Sequence, residues 1–283
     1  MSSILFDAPG PRGRRRTLVW SVVAGVALLA LVALALLRLV DRGIFDAERW
    51  DIFTEDTVTW EALVRRGLGA TLRAAAVAGA ISLVAGGLLA TARTSQHRWL
   101  RLPAAVWIEL FRGLPVVLLM FFALLALDFT PFRAVVVGLS LYNTAVIAEI
   151  LRAGLLSLPA GQREAALAIG LTPGQAMRLV LMPQAVRRMA PSLVSQLVVL
   201  LKDTSLGYIV SYVELLRVNR ELRDFFGSRY IFSLFLVTAA LYIGVNFTLS
   251  RIAVYLERRG TNKAAGGVAP AQEAGDLEAG RAV

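Results

Sequence analysis

Chemistry needs side chains that can hold a proton, a metal ion or a new covalent bond, and this chain is poor in them. It has no cysteine and a single histidine, so a thiol nucleophile is excluded and no metal site can be assembled from paired imidazoles or thiolates. The histidine, His97, sits among Arg93, Arg98 and Arg101 and reads as a solvated loop residue. The lysines are Lys202 and Lys263. Neither follows a glycine-rich phosphate-cradling loop, so the chain lacks an ATP site of that kind. No catalytic residue, cofactor site or metal site is expected, and the chain does not read as an enzyme.

What remains is a set of polar groups inside apolar stretches. Glu109 and Arg112 lie three residues apart, as do Glu149 and Arg152, a spacing that places each pair on one helix face. Structural pairing near a span end, with the arginines reaching for water, is the plainer reading of both. Ser192, Ser195 and Lys202, with Gln196 and Asp203 beside them, recur at three-, four- and seven-residue intervals and form one polar stripe. Lys202 and Asp203 fall deep in an apolar run, where ionisable groups are costly and usually have a purpose. A seam facing a bundle interior or a water-filled path explains the stripe; a helix break at Lys202–Thr204, buried in protein, is the alternative.

The most fully specified local structure is an elbow between Glu164 and Pro183. A first arm over roughly 162–169 ends at Gly170, the residue type that tolerates a left-handed helix end. Thr172 then suits an N-cap, Pro173 the first helical position, and Gln175 completes a capping box with Thr172. Pro183 is expected to close the second arm.

Composition says what must position these groups. The chain of 283 residues is 57% hydrophobic and only 18% charged, with a mean hydropathy of +0.65, which is membrane-like usage. The net charge of +10 is better explained by basic loops on the cytoplasmic side than by a nucleic-acid partner. Residues 1–17, with Arg12, Arg14, Arg15 and Arg16, form a basic cytoplasmic N-terminus. Residues 18–40 are long enough to span and read as an uncleaved transmembrane helix. Residues 41–62 hold Asp41, Asp46, Glu48, Asp51, Glu55, Asp56 and Glu61 against Arg42 and Arg49, an acidic extracytoplasmic segment with Trp50 and Trp60 at the interface.

Five further spans are expected within 63–256. They cover about 67–90, where Ala75/Gly79 and Gly86/Ala90 allow close helix approach, then 103–127, 132–156, 190–216 and 230–255. The fifth of the six spans is interrupted at Lys202-Asp203-Thr204-Ser205. The elbow loop, 157–189, then lies in the cytoplasm with Arg163, Arg178, Arg187 and Arg188. Residues 257–283 read as a disordered cytoplasmic tail. The segment 217–229, placed outside, is mildly basic and runs against this topology. The fold class is all-α: a polytopic membrane protein of six transmembrane helices. A conduit, a receptor or a scaffold are the function classes left open.

The residues also resemble a family. Glu164-Ala-Ala-x3-Gly170-x9-Val180-x-Met182-Pro183 is similar to the EAA motif of permease subunits of binding-protein-dependent ABC importers, with Val180 and Met182 in place of the usual Ile and Leu. Glu109-Leu-Phe-Arg-Gly-Leu-Pro115, Leu139-Ser-Leu-Tyr-Asn143, Ile147-Ala-Glu-Ile-Leu-Arg-Ala-Gly154, Met182-Pro-Gln184 and Leu200-Leu-Lys-Asp-Thr-Ser-Leu206 resemble its polar amino-acid branch. The whole chain is most similar to actinobacterial glutamate permeases.

The resemblance implies a five-helix permease core preceded by one extra helix. It implies a coupling helix at Glu164, Ala165, Ala166, Gly170, Thr172 and Pro183 that engages a cytoplasmic ABC ATPase dimer, which holds the ATP and magnesium. It also implies a second permease subunit, identical or paralogous, an extracytoplasmic amino-acid-binding protein, and the lipid bilayer as surroundings, with no nucleic acid. The path or gate is expected at Lys202, Asp203, Thr204 and Ser205, with Tyr142 and Glu149 also candidates. Glutamate is the expected substrate; glutamine, arginine or histidine are the alternatives, and a stand-alone secondary transporter is the rival without an ATPase.

Overall fold

The computed structural model describes residues 10–55 and 57–265, and the secondary structure of those residues is entirely helical. Nine helices carry the architecture: α1 (Pro11–Asp41), α2 (Gly69–Arg93), α3 (Arg98–Gly113), α4 (Val116–Leu125), α5 (Pro131–Leu156), α6 (Ala160–Ala168), α7 (Met182–Asp203), α8 (Leu215–Phe226) and α9 (Ile231–Ala265). Short helical pieces lengthen two of them. Thr57–Trp60 and a π-helical stretch Glu61–Leu68 lead into α2; Pro173–Gln175 and a π-helical stretch Ala176–Leu181 lead into α7, which runs on as a 3₁₀ turn to Val210.

Five helical runs are long and apolar enough to cross a membrane: Arg12–Asp41, Thr57–Arg93, Pro131–Leu156, Pro173–Val210 and Ser228–Arg251. α3 and α4 make a sixth only as a bent pair, because the chain turns by 99° between them. The single span expected over 103–127 is therefore broken. Leu114 is extended ahead of Pro115, as the proline ring demands of the residue before it.

α5 is the centre of the bundle, and contact with it gives the bundle its order. Ala74 and Ala78 of α2 share a core cluster with Val135 and Leu139 of α5, while Ala90 shares one with Ile147 and Leu151; α2 and α5 are thus parallel. Leu193 of α7 joins the Ile147 cluster and Leu200 the Val135 cluster, so α7 is antiparallel to them. Glycines make these approaches possible. A Cβ on Gly86 would lie 2.6 Å from Ile147 Cγ2, and one on Gly138 would lie 2.8 Å from the backbone nitrogen of Met120. A third cluster of Ile52, Leu63, Leu215, Val218, Leu222 and Leu234 closes the end opposite the elbow.

Three further expectations need correction. Pro183 does not end the second arm: the helix continues through it to Asp203, and the π-helical turn just ahead shifts the hydrogen-bond register where the proline lacks its N–H. The span expected to reach Leu216 stops at Val210; Ser211 is left-handed with φ 62°, and Leu215 and Leu216 open a separate amphipathic helix, α8. Residues 257–265 continue α9, so the expected disordered tail does not begin at 257; its remainder, like residues 1–9, lies outside the described residues.

α1 stands apart. Every side chain from Leu18 to Arg38 is exposed, and a helix apolar on all sides is stable only in an apolar surrounding.

Candidate functional site

The elbow forms as its residues predict, and local chemistry sets it. α6 ends in a Schellman pair: the Gly170 N–H donates to the Leu167 carbonyl at 3.0 Å and the Leu171 N–H to the Ala166 carbonyl at 3.2 Å. Gly170 takes φ +88°, the left-handed region that a Cβ disfavours. Two residues later the capping box closes. Gln175 N–H donates to Thr172 Oγ1 at 3.3 Å, and the Thr172 N–H donates to Gln175 Oε1 at 2.8 Å. Both ends of the turn are therefore hydrogen-bonded within the chain.

The arms pack on each other, and this sorts the expected docking residues. Ala166 is 3% exposed and Ala176 1%, both where α6 meets the Ala176–Leu181 stretch. Ala166 was expected on the docking face; the structure turns it inward, as the small spacer that lets the arms close. Glu164, Ala165, Gly170 and Thr172 remain exposed, as does Pro183. Ile169, not singled out from sequence, is 78% exposed at the tip, and no heavy atom lies within 4 Å of where a Gly170 Cβ would stand. An apolar tip beside open space on a pre-formed turn suits helix-in-groove docking. The base is anchored by Arg188, whose Nη1 donates to the Ser157 carbonyl at 2.8 Å.

The second group of candidates is split. Lys202 and Asp203 end the α-helical part of α7, and Thr204 starts the 3₁₀ turn. Thr204 is buried with its hydroxyl donating to the Leu201 carbonyl at 2.6 Å, and the Ser205 hydroxyl donates to the Lys202 carbonyl at 2.8 Å. Lys202 is exposed and Asp203 half-buried. Ser192 and Ser195 are exposed with Lys202, whereas Gln196 turns inward and donates to Asn143 Oδ1 at 2.8 Å. The stripe, expected to face a bundle interior or a water-filled path, thus lies on a face this chain alone leaves uncovered.

Glu149 is held in a bidentate pair by Arg152, Nε to Oε2 at 2.9 Å and Nη2 to Oε1 at 2.6 Å, with Arg93 and Arg112 close enough to act on it electrostatically. Glu109 pairs with Arg112 at 3.1 Å. Tyr142 is half-buried two turns before Glu149. Among the described residues neither Tyr142 nor Glu149 is paired with the Lys202–Ser205 turn.

One polar junction was missed. Glu214 is 0% exposed. Its carboxylate accepts from the N–H groups of Leu216 and Arg217 at 2.9 Å each, capping α8, and from the Tyr242 hydroxyl of α9 at 2.8 Å. The Thr71 and Thr204 hydroxyls lie beside that tyrosine hydroxyl, and Thr71 also accepts from the Leu215 N–H at 3.2 Å. Burial pushes the Glu214 carboxyl up from the ordinary range, while the Leu216 N–H, the Tyr242 hydroxyl and the Arg217 N–H pull it back. A lone carboxylate in the apolar run Tyr212-Val-Glu-Leu-Leu was the only signal in the sequence.

Comparison with known proteins fits this geometry. Residues 82–261 match the family described as binding-protein-dependent transport system inner membrane component. The chain is 41% identical over 225 residues to the glutamate transport system permease protein GluD of Corynebacterium glutamicum, covering 77% of this chain and 81% of that one. It is 36% identical over 209 residues to the glutamine transport system permease protein GlnP of Escherichia coli, covering 71% and 94%. A crystal structure of an amino acid ABC transporter with histidines superposes with a TM-score of 0.64 at 27% identity, covering 73% of this chain and 98% of that chain. An inward-facing methionine ABC transporter superposes at 0.61, with 24% identity, and bears on the fold alone. A helical bundle with a pre-formed exposed elbow and no chemistry of its own is what a subunit driven by a separate ATPase requires, and the chain belongs to the binding-protein-dependent transport family as a permease subunit of an amino-acid ABC importer.

Proposed function

We infer that this chain is one of two permease subunits, identical or paralogous, in a glutamate importer of a bacterial cell membrane. The elbow and both chain termini face the cytoplasm, and the acidic segment 41–62 faces outside. The observation that carries the coupling part is the elbow itself: capped at both ends, with Ile169 exposed at its tip. Glu164, Ala165, Gly170 and Thr172 present that turn to the cytoplasmic ATPase; Ala166 sets the spacing of the arms, and Pro183 lies on the exposed side of the second. ATP and magnesium belong to that partner, and this chain contributes the lever that its closure moves.

The uncovered polar face of α7 supports a path between two permeases. Ser192, Ser195 and Lys202 are exposed inside a segment apolar enough to span, and a charge there calls for protein or water, not lipid. The turn Lys202–Ser205 then lines or gates the path. Glutamate as cargo rests on the similarity to the corynebacterial glutamate permease, and glutamine is the second reading because of the likeness to GlnP. Lys202 is assigned to the gate and does not select the substrate.

The test is reconstitution of the chain with its ATPase and binding protein, measuring ATP-dependent uptake of labelled glutamate against glutamine, arginine and histidine. Uptake led by a cationic amino acid would overturn the glutamate reading. For coupling, the unaltered chain should retain the ATPase in pull-down from native membranes and Gly170→Asp should lose it; equal capture would overturn the role of the elbow.

A further inference from the structure

Between α1 and the run into α2 lies a segment that precedes the residues 82–261 matched by the family, and the structure gives it a seat. Ile44 and Ile52 are buried. Ile52 belongs to the cluster of Leu63, Leu215, Val218, Leu222 and Leu234, and Phe53, Phe226 and Tyr230 pack against that cluster. Phe53 lies between two indoles, 6.0 Å from Trp50 and 5.6 Å from Trp60. The indole N–H groups are spent locally, Trp50 on the Ile44 carbonyl at 3.2 Å and Trp60 on the Phe53 carbonyl at 2.9 Å. Polar contacts edge the seat: Glu48 pairs with Arg229, and the Tyr230 hydroxyl donates to Asp51 Oδ2 at 3.3 Å.

The element it sits against is not passive. α8 is capped by Glu214, whose carboxylate meets Tyr242, beside Thr71 and Thr204. Thr204 is the residue at which α7 changes from α to 3₁₀ geometry, two positions after Lys202. Glu214 and Tyr242 thus connect α8 to that turn through hydrogen bonds.

We propose that residues 44–55 form a strut that positions α8, and through the Glu214 junction the Lys202–Ser205 turn, so that the outer face offered to the amino-acid donor stays in register with the path. The strut rests on the importer reading for what it positions, but not for its seating. It remains attached through transport, because Ile44 and Ile52, which anchor it, are apolar and buried.

The experiment uses the full chain in proteoliposomes with its ATPase and the loaded binding protein. Ile52→Ser with Phe53→Ser should raise the donor concentration for half-maximal uptake at least fivefold, with maximal uptake per folded transporter within twofold of unaltered. Ile52→Val with Phe53→Leu should restore the unaltered value. A fall in maximal uptake at constant half-saturation, or no change in either, would overturn the proposal, since a merely stabilising segment changes the amount of working transporter and not its donor dependence. The native chain has no cysteine, so Glu48→Cys with Arg229→Cys can be bridged by a short bismaleimide. Efficient bridging with uptake retained supports the strut; failure to bridge shows it is not seated, and loss of uptake on bridging shows it must detach, and either overturns it. If the unaltered assembly imports no amino acid the importer reading fails, whereas the bridging yield still judges the seating.

Discussion

Gly170→Ala should weaken ATPase capture, and the size of the effect follows from backbone geometry alone. Gly170 sits at φ +88°, where an L side chain costs about 1–2 kcal/mol. Nothing stands within 4 Å of the added Cβ, so neighbouring atoms contribute no further strain, and the whole penalty falls on the angle of the elbow. At about 1.4 kcal/mol per factor of ten, the competent geometry loses roughly five- to thirtyfold in population. Asparagine tolerates the left-handed region better than alanine, so Gly170→Asn should fall between the two. The assay is titration of purified ATPase onto the permease in nanodiscs, with uptake measured in parallel; the affinity order should be glycine, asparagine, alanine. If asparagine and alanine weaken capture equally, or neither does, the angle at Gly170 is not what the partner reads.

Other outcomes follow from the packing and the buried polar groups. Gly138→Ala should lower thermal stability in detergent by roughly 1–3 kcal/mol through overpacking, because its Cβ would meet Met120 backbone at 2.8 Å, whereas Gly87→Ala, with nothing within 4 Å, should cost nothing. Gln196→Leu should cost about 1–3 kcal/mol by stranding the buried Asn143 amide oxygen it bonds, and a double-mutant cycle with Asn143→Leu should recover part of that loss. Thr172→Ala should cost the elbow about 1 kcal/mol through loss of its cap, read as weaker ATPase capture with unchanged thermal stability of the bundle. Burial raises the Glu214 carboxyl above its unfolded value, so its contribution to folding is complete below the unfolded value and is lost as pH rises from there through the raised value. Melting curves across that window should show the unaltered chain losing stability relative to Glu214→Gln; parallel curves would refute it.

The elbow was legible because its determinants are local. Gly170, Thr172, Pro173 and Gln175 each fix a backbone angle or satisfy an orphan donor within four residues. The spans were legible from apolar length, and the small-residue pairs on α2 correctly marked a face of close approach, with Gly79 near Leu197 and Gly86 against Ile147. The bend at Leu114–Pro115 was also in the sequence, since the residue before proline avoids helical angles, but the surrounding apolar run outweighed it.

What could not be read locally depends on distant partners. Ala166 faces inward because the second arm packs over it. Pro183 is passed because the turn before it widens. The cap that Glu214 makes on α8 is local, but its burial depends on Tyr242, 28 residues away, whose hydroxyl also meets Thr71 on another helix. The acidic charge of 41–62 announced an outside loop but not the seat of Ile52 and Phe53.

The unbroken helical run from Pro173 to Val210 has a mechanical consequence. From Ala176 to Lys202 it spans roughly 39 Å at 1.5 Å per residue, and it carries the elbow at one end and the Lys202–Ser205 turn, proposed above as the gate, at the other. A rotation of only about 5° at the elbow would then swing the Lys202 end by roughly 3 Å, more than the diameter of a water molecule. If that turn is the gate, the partner needs to supply only a small angular stroke, because the length of the arm amplifies it.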